Sequence, residues 1–272
     1  VNKVAIIQAR MSSSRLPGKV LLDIAGKAMV QRVIERACRA QTLDAVSVAT
    51  TTDASDDPLA VFALSKGVSC TRGSLHNVLD RYYRAARMHD ADVIVRITAD
   101  CPAIDPALVD QAVTTLLEGG YDFVANRLPP PFSRSFPIGL DVEVCTFPAL
   151  QRAWAESNQP FHHEHVMPFL YENVTLEILD EHLSTGISPR GFKIALLNHT
   201  PNYGSLRWTV DTPEDLELMR RIFNDLEDKN DFTWYDLLAV VQKHPELAEI
   251  NARVRHKTMT DVDERRTLTT NT

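Results

Sequence analysis

Cysteine is scarce. The 272 residues hold four, Cys38, Cys70, Cys101 and Cys145, and no two form a C-x-x-C pair. That scatter speaks against a structural zinc site, and a chain this long needs no disulfide staples. The four are expected to be reduced, mostly buried thiols of a cytoplasmic protein. Long apolar runs are missing too. Nothing approaches the roughly 18 apolar residues that span a bilayer, so no membrane insertion is expected. The chain opens directly on a strand-like run, so no signal or transit peptide is expected. A basic excess is also lacking: 29 Lys and Arg stand against 36 Asp and Glu, for a net charge of −7. Without a basic stripe, a nucleic-acid partner is not expected.

What remains is ordinary globular material, 44% hydrophobic and 24% charged, enough to bury one sizeable core. Residues 1–257 are read as a single α/β domain, and the polar, non-periodic stretch 258–272 as a disordered tail. The first 125 residues alternate strand and helix patterns. Strands are expected at Lys3–Gln8, Ala45–Thr51 and Asp92–Thr98. Helices are expected over Met29–Ala40, Pro58–Lys66, Leu75–His89 with Ser74 as N-cap, and from Asp105-Pro106 to Glu118. Such β-α-β alternation implies a mostly parallel, Rossmann-like sheet with helices on both faces. Ligands then bind beyond the carboxyl ends of the strands.

The second half reads as a smaller mixed or antiparallel excursion. Strands are expected over Gly139–Thr146, Val174–Leu179, Phe192–Leu196 and Arg207–Val210. Helical patterns cover Pro148–Ser157, His163–Glu172, Tyr235–Lys243 and Pro245–Arg253. Thr212-Pro213-Glu214-Asp215 is a helix start, with a cap, a proline at the first position and acids in the first turn. Trp154, Trp208 and Trp234 sit in apolar patterns and are expected in the core.

The strongest chemical signal follows the first strand: Gln8-Ala9-Arg10-Met11-Ser12-Ser13-Ser14-Arg15-Leu16-Pro17-Gly18-Lys19. It matches neither the P-loop nor the dinucleotide fingerprint. Its amides and hydroxyls can cradle phosphate oxygens, and Gly18 permits close backbone approach. Arg10, Arg15 and Lys19 can neutralise several phosphate charges. A solvated basic loop is the plainer alternative. A second signal is a pair of aspartates, Asp100 after the strand Asp92–Thr98 and Asp211 after Arg207–Val210. On parallel strands of one sheet they would meet beside the cationic loop. Carboxylates plus substrate phosphates are the usual way to hold Mg²⁺. Read separately, Asp100 is a turn residue and Asp211 flanks a helix cap. In His162-His163-Glu164-His165 only His162 and His165 share a helix face, which fits an acceptor or dimer contact better than a metal. Cys101 could be a nucleophile, but a buried thiol beside Pro102 is the simpler reading.

The run A-R-x-x-S-S-R-L-P-G-K, a later A-D-C-P and a late V-D-T-P-E-D-L together resemble the sugar-acid cytidylyltransferases, such as CMP-Kdo and CMP-sialic acid synthetases. The branch labelled spore coat polysaccharide biosynthesis protein F is the most similar. It is suggested by Gly73-Ser74 through Val78-Leu79-Asp80-Arg81-Tyr82, by Gly139-Leu140-Asp141-Val142-Glu143-Val144 and by Glu164-His165-Val166. The resemblance covers roughly residues 3 to 226 and implies a nucleotide-diphospho-sugar-transferase-like fold. It implies that Arg10, Arg15 and Lys19 hold a triphosphate, and that Asp100 and Asp211 hold Mg²⁺. Gln8, Ala9, Gly18, Arg72, Gly73 and Asn77 would complete the nucleotide site. Asp141 and Glu143, with His165, would face the sugar. Val20 replaces a proline common in that family, and no sugar-specific pocket motif is evident.

The implied reaction is Mg²⁺-dependent transfer of CMP from CTP to a sugar acid or related sugar, releasing pyrophosphate, in surface polysaccharide synthesis. A homodimer is implied as well. Two alternatives stand beside it. A nucleotide-sugar-dependent glycosyltransferase has a related sheet, but the D-x-D at Asp90-Ala91-Asp92 precedes its strand. A non-catalytic nucleotide-binding subunit is the other, and an intact Arg15, Lys19, Asp100 and Asp211 argue against it.

Overall fold

The computed structural model describes residues 1–226 and 231–255. The expected tail over 258–272 lies outside the described residues. Strands run in chain order as β1 (Lys3–Gln8), β2 (Asp23–Ile24), β3 (Lys27–Ala28), β4 (Ala45–Thr51), β5 (Ser69–Gly73), β6 (Val93–Thr98), β7 (Phe123–Ala125), β8 (Glu143–Thr146), β9 (Glu177–Ile178), β10 (Leu183–Ile187) and β11 (Lys193–Leu197). Nine form one sheet in the order β5-β4-β1-β6-β8-β7-β11-β10-β9, and β2 and β3 make a separate ribbon. Strand β1 pairs in parallel with β4 and β6, and β4 with β5. Only β8 and β10 run against the rest of the sheet. The mostly parallel α/β fold with a mixed second half is as the sequence implies.

Strand β1 shows why these runs read as continuously apolar. Val4 and Ile6 enter one core layer, Ala5 and Ile7 the other, so both faces are covered and no polar alternation survives. Helices Met29–Ala37, Pro106–Gly119, Pro213–Asp225 and Trp234–Lys243 pack on the Ala5 and Ile7 face. Helices Val78–Met88 and Phe147–Glu156 cover the other.

Several boundaries differ, each for a local reason. The helix expected from Leu75 starts at Val78. Ser74 Oγ accepts from His76 N in a local turn, and Asn77 Oδ1 caps the helix through Asp80 N at 2.9 Å. The stretch His163–Glu172 is two short helices, Pro160–His165 and Pro168–Tyr171. Pro168 lacks the amide that continuity requires, and Val166 takes φ +71°. Gly139–Thr146 is a strand only from Glu143, because Asn126 takes the Val142 amide and the Leu140 carbonyl on its side chain. Val174–Leu179 shortens to β9, and Pro245–Arg253 is a 3-10 turn over Pro245–Glu249. Arg207–Val210 is not a strand. It is an extended segment with one bridge to Ile138, tied by Val210 N to Asp100 O at 2.8 Å. Trp208 and Trp234 are core, but Trp154 is 41% exposed and stacks on Tyr83. Cys101 and Cys145 are buried, Cys70 is half-buried and Cys38 is exposed.

Gly139 is one place where glycine is obligatory. Its φ is +106°, and an added Cβ would lie 2.5 Å from Thr209 N and 2.6 Å from Trp208 C. Both obstacles are backbone and cannot swing aside. Gly139→Ala should therefore destabilise the protein by at least about 1–3 kcal/mol, read from urea unfolding. Wild-type stability in that variant would contradict the packing described.

Candidate active site

The ends of β1 and β6 open into a cleft of about 390 Å³, a ligand-sized volume. One wall is the loop after β1. Met11 is its knot: its carbonyl accepts from Ser13 N at 3.0 Å and Gly18 N at 2.8 Å, and its amide donates to the buried Asp56 at 2.6 Å. Gly18 adopts φ +69°, and an added Cβ would meet Met11 Cε only at an ordinary contact distance of 3.5 Å, so conformation and not room demands glycine there. The 3-10 turn Lys19–Leu21 follows and directs Lys19 back into the cleft.

Lys19 is the centre of the site. Its Nζ donates to Asp100 Oδ2 at 2.8 Å, Val210 O at 2.8 Å and Asp211 Oδ1 at 2.9 Å. Arg15 Nη2 also reaches Asp211 Oδ1, at 2.9 Å. The second oxygen of Asp211 accepts from Arg207 Nη2 at 2.8 Å. Arg207 is held in turn by Asp215, which is fully buried and also accepts from Asp211 N, Thr212 N and Asn251 Nδ2. The helix-start motif thus does two jobs. Asp215 closes the capping box with Thr212 and fixes the backbone that carries Asp211.

The charge balance follows from this geometry. Burial pushes the Asp211 carboxyl up, but Lys19, Arg15 and Arg207 outweigh it and hold it far below the usual carboxylate range. Burial alone would lower Lys19, and Asp100 with Asp211 reverses that, leaving it raised. Asp211 and Lys19 are thus each held in the charged form by the other.

The cleft brings together most of the residues the sequence singles out. Gln8, Ala9, Arg10, Arg15, Lys19, Asp100, Asp141, Glu143, His165 and Asp211 all line it. Glu143 is ion-paired to Arg96, which also donates to Gln8 Oε1 at 3.2 Å. Asp141 is ion-paired to Arg134. Arg72, Gly73 and Asn77 stand outside the lining. Arg72 turns back to Thr51 O, Asp53 O and Asp57, and Asn77 is occupied as a helix cap. His162 is buried against Phe161 and Phe169, 3.4 Å from Glu172, and does not share the cleft with His165. Among the described residues no cluster of three or more His, Cys, Asp or Glu could hold a metal. Cys101 is no nucleophile here: it is buried against Thr98 Oγ1, and burial first, then Asp100, pushes its thiol well up. The sequence reading missed Arg81, Arg96 and Arg127, all of which line the cleft. A charge inside the apolar run Val93–Thr98 was the available signal for Arg96.

A parallel sheet that gathers a serine-rich cationic loop and two converging carboxylates at its carboxyl edge is built to handle nucleoside phosphates. The family model described as cytidylyltransferase matches residues 4–244, and the chain belongs to that family. It is 28% identical over 249 residues to the spore coat polysaccharide biosynthesis protein SpsF of Bacillus subtilis, covering 89% of this chain and 95% of that one. It is 42% identical over 120 residues to the 3-deoxy-manno-octulosonate cytidylyltransferase of Geobacter sulfurreducens, covering 43% of this chain and 46% of that one. The solved structure of a cytidylyltransferase from Leptospira borgpetersenii superposes with a TM-score of 0.80 at 29% identity, covering 94% of this chain and 99% of that one.

Proposed function

We propose that this cytidylyltransferase moves CMP from CTP to a sugar acid, or a closely related sugar, and releases pyrophosphate. The observation that carries this is the convergence of Lys19 and Arg15 on Asp100 and Asp211 at one edge of the sheet. An acceptor hydroxyl oxygen forms a bond to the α-phosphorus as the bond to pyrophosphate breaks, and the hydroxyl proton is lost. Positioning and charge stabilisation dominate such a transfer. Lys19 and Arg15 exchange their carboxylate partners for phosphate oxygens and stabilise the leaving pyrophosphate. Asp141, Glu143 and His165 take the acceptor. The ion pairs to Arg134 and Arg96 hold the two carboxylates in place at the wall of the cleft.

A divalent ion fits this site. One oxygen each of Asp100 and Asp211 approaches a single point, where Lys19 Nζ now sits at 2.8 and 2.9 Å. Two carboxylates plus phosphates make a donor set for Mg²⁺. Bound there, the ion would supply charge stabilisation at the phosphates. We further propose a cytoplasmic homodimer serving surface polysaccharide synthesis, a role supported by the name of the Bacillus subtilis relative. The glycosyltransferase alternative loses its metal motif: Asp92 precedes β6, at the opposite end of that strand from Asp100.

The test is CTP-dependent pyrophosphate release with a panel of 3-deoxy-2-ulosonic acids and matched neutral sugars. Release with an acid and not with neutral sugars is expected. Release only with neutral sugars would overturn the sugar-acid assignment, and none with any acceptor would overturn the reaction.

A further inference from the structure

Asp211 reaches the cleft on Arg207–Val210, a segment that is extended but not a strand. Its β pairing is a single bridge to Ile138. Hydrogen bonds hold it instead. Trp208 N donates to Ile138 O at 2.7 Å, and Val210 N and Thr209 Oγ1 donate to Asp100 O at 2.8 and 3.1 Å. The segment also runs between two hollows. Thr209 and Asp211 line the cleft, while Arg207 and Trp208 line a second cavity of about 220 Å³. Protein interiors normally hold a chain in place by close packing. Open space on both sides leaves that task here to polar ties.

Asn251 supplies the tie at Arg207. It is 5% exposed and stands two residues after the 3-10 turn Pro245–Glu249. Its Nδ2 donates to Arg207 O at 3.0 Å and to Asp215 Oδ1 at 2.8 Å. Both neighbours are acceptors, so the amide must present its nitrogen to them. Arg207 and Asp215 are the pair that steers Asp211. Arg207 Nη2 occupies Asp211 Oδ2, and Asp215 Oδ2 accepts from Asp211 N. Asp211 Oδ1 is left to face Lys19 and Arg15. The donors to Asp215 on Arg207, Asp211 and Thr212 belong to the stretch that Asp215 organises. Asn251 comes from outside that stretch, and from outside residues 4–244 that match the family model.

We propose that Asn251 is a positioning residue for CMP transfer, anchoring Arg207 and Asp215 so that Asp211 keeps Oδ1 turned into the cleft. This rests on the reading that Asp211 serves that reaction. Asn251 does not line the cleft and acts through its two partners. Without its amide, the buried Asp215 carboxylate and the Arg207 carbonyl each lose a donor, and the surrounding groups must move to replace it. Groups that orient a metal-binding carboxylate from behind typically control affinity or activity by 10- to 100-fold.

The experiment compares wild type, Asn251→Leu, Asn251→Ala and Leu247→Ala. Asn251→Leu nearly keeps the side-chain volume and removes both donated bonds. Leu247 is buried in the turn Pro245–Glu249, so Leu247→Ala loosens the same part of the chain and leaves those bonds alone. Thermal unfolding ranks the four proteins. Mn²⁺ titration in the presence of CTP, followed by electron paramagnetic resonance, and the kcat of CTP-dependent pyrophosphate release are read while all are folded. Both Asn251 variants should lose about tenfold or more in Mn²⁺ affinity and in kcat, with the KM for CTP within about threefold of wild type. Leu247→Ala should melt at a lower temperature than wild type yet keep Mn²⁺ affinity and kcat within about twofold. Wild-type Mn²⁺ affinity and kcat in the Asn251 variants overturn the proposal. So do equal losses in Leu247→Ala, or failure of both Asn251 variants to fold, either of which makes the role of Asn251 purely structural. Wild type that neither binds Mn²⁺ with CTP nor releases pyrophosphate overturns the reading of Asp211 itself, and the proposal with it.

Discussion

Lys19→Met should lower kcat for CMP transfer by about 100- to 1000-fold, the usual effect of deleting a preorganised charge at a transferring phosphate. The same change should raise, not lower, the affinity of the nucleotide-free protein for a divalent ion. Lys19 Nζ holds both carboxylates that would bind the ion, at 2.8 and 2.9 Å. An ion and the ammonium cannot share that point. In wild type the triphosphate has to draw Lys19 away, so ion and CTP should bind with positive coupling, and by linkage each tightens the other equally. Mn²⁺ titration followed by electron paramagnetic resonance, with and without CTP, reads both effects. Equal Mn²⁺ affinity in wild type and Lys19→Met, without nucleotide, would contradict the arrangement.

The pH dependence of stability should change in the same variant. Asp211 has a folded-state pKa held below its unfolded value, chiefly by Lys19 against the opposing effect of burial. Such a group stabilises the protein above the unfolded carboxylate pKa, near 4, and loses that contribution as pH falls toward the folded value. Without Lys19 part of the contribution is already gone at neutral pH. The stability of Lys19→Met should thus fall less steeply on acidification than that of wild type, measured by urea unfolding from neutral pH into the acid range.

Asp100→Asn should be the most damaging single change to turnover, a loss of at least about a thousandfold if it acts through both phosphate charge and ion binding. It removes one of the two carboxylates that hold Lys19, on the proposed reading the two beside the phosphates, but keeps the shape of the side chain. Asp211 remains held by Arg15, Lys19 and Arg207, so the fold should survive. Stopped pyrophosphate-release assays should show the loss, while Mn²⁺ binding in the presence of CTP weakens in parallel. Turnover within tenfold of wild type would remove Asp100 from the site as described.

Much of this was legible in the sequence, for identifiable reasons. Strand β1 is a short β-branched run buried on both faces, and the loop after it concentrates three cations within ten residues. Asp105-Pro106 and Thr212-Pro213 are strong helix starts because they combine a side-chain cap with a proline whose missing amide costs nothing there. Other features depend on contacts distant in sequence. Asp100 and Asp211 do meet, but through the Val210 amide on the Asp100 carbonyl and not through a regular strand. Asn77 displaces Ser74 as cap because the serine is used two residues later. The reversed strand β8 has no local mark of its direction, which is set by its register against β6 and β7. Arg81 reads as one more polar residue on an amphipathic helix. That it borders the cleft, with Nε and Nη1 buried and unpartnered, is a property of the fold alone.

The most direct test of the central claim is thermal unfolding of the wild-type protein with CTP, UTP, GTP, ATP or dTTP, each with and without Mg²⁺. A ligand at a hundred times its dissociation constant adds about 2.7 kcal/mol, a shift that is easily seen. The structure predicts selective stabilisation by CTP, strengthened by Mg²⁺. Stabilisation by nucleoside diphosphates or diphosphate sugars, with no response to any triphosphate, would contradict it.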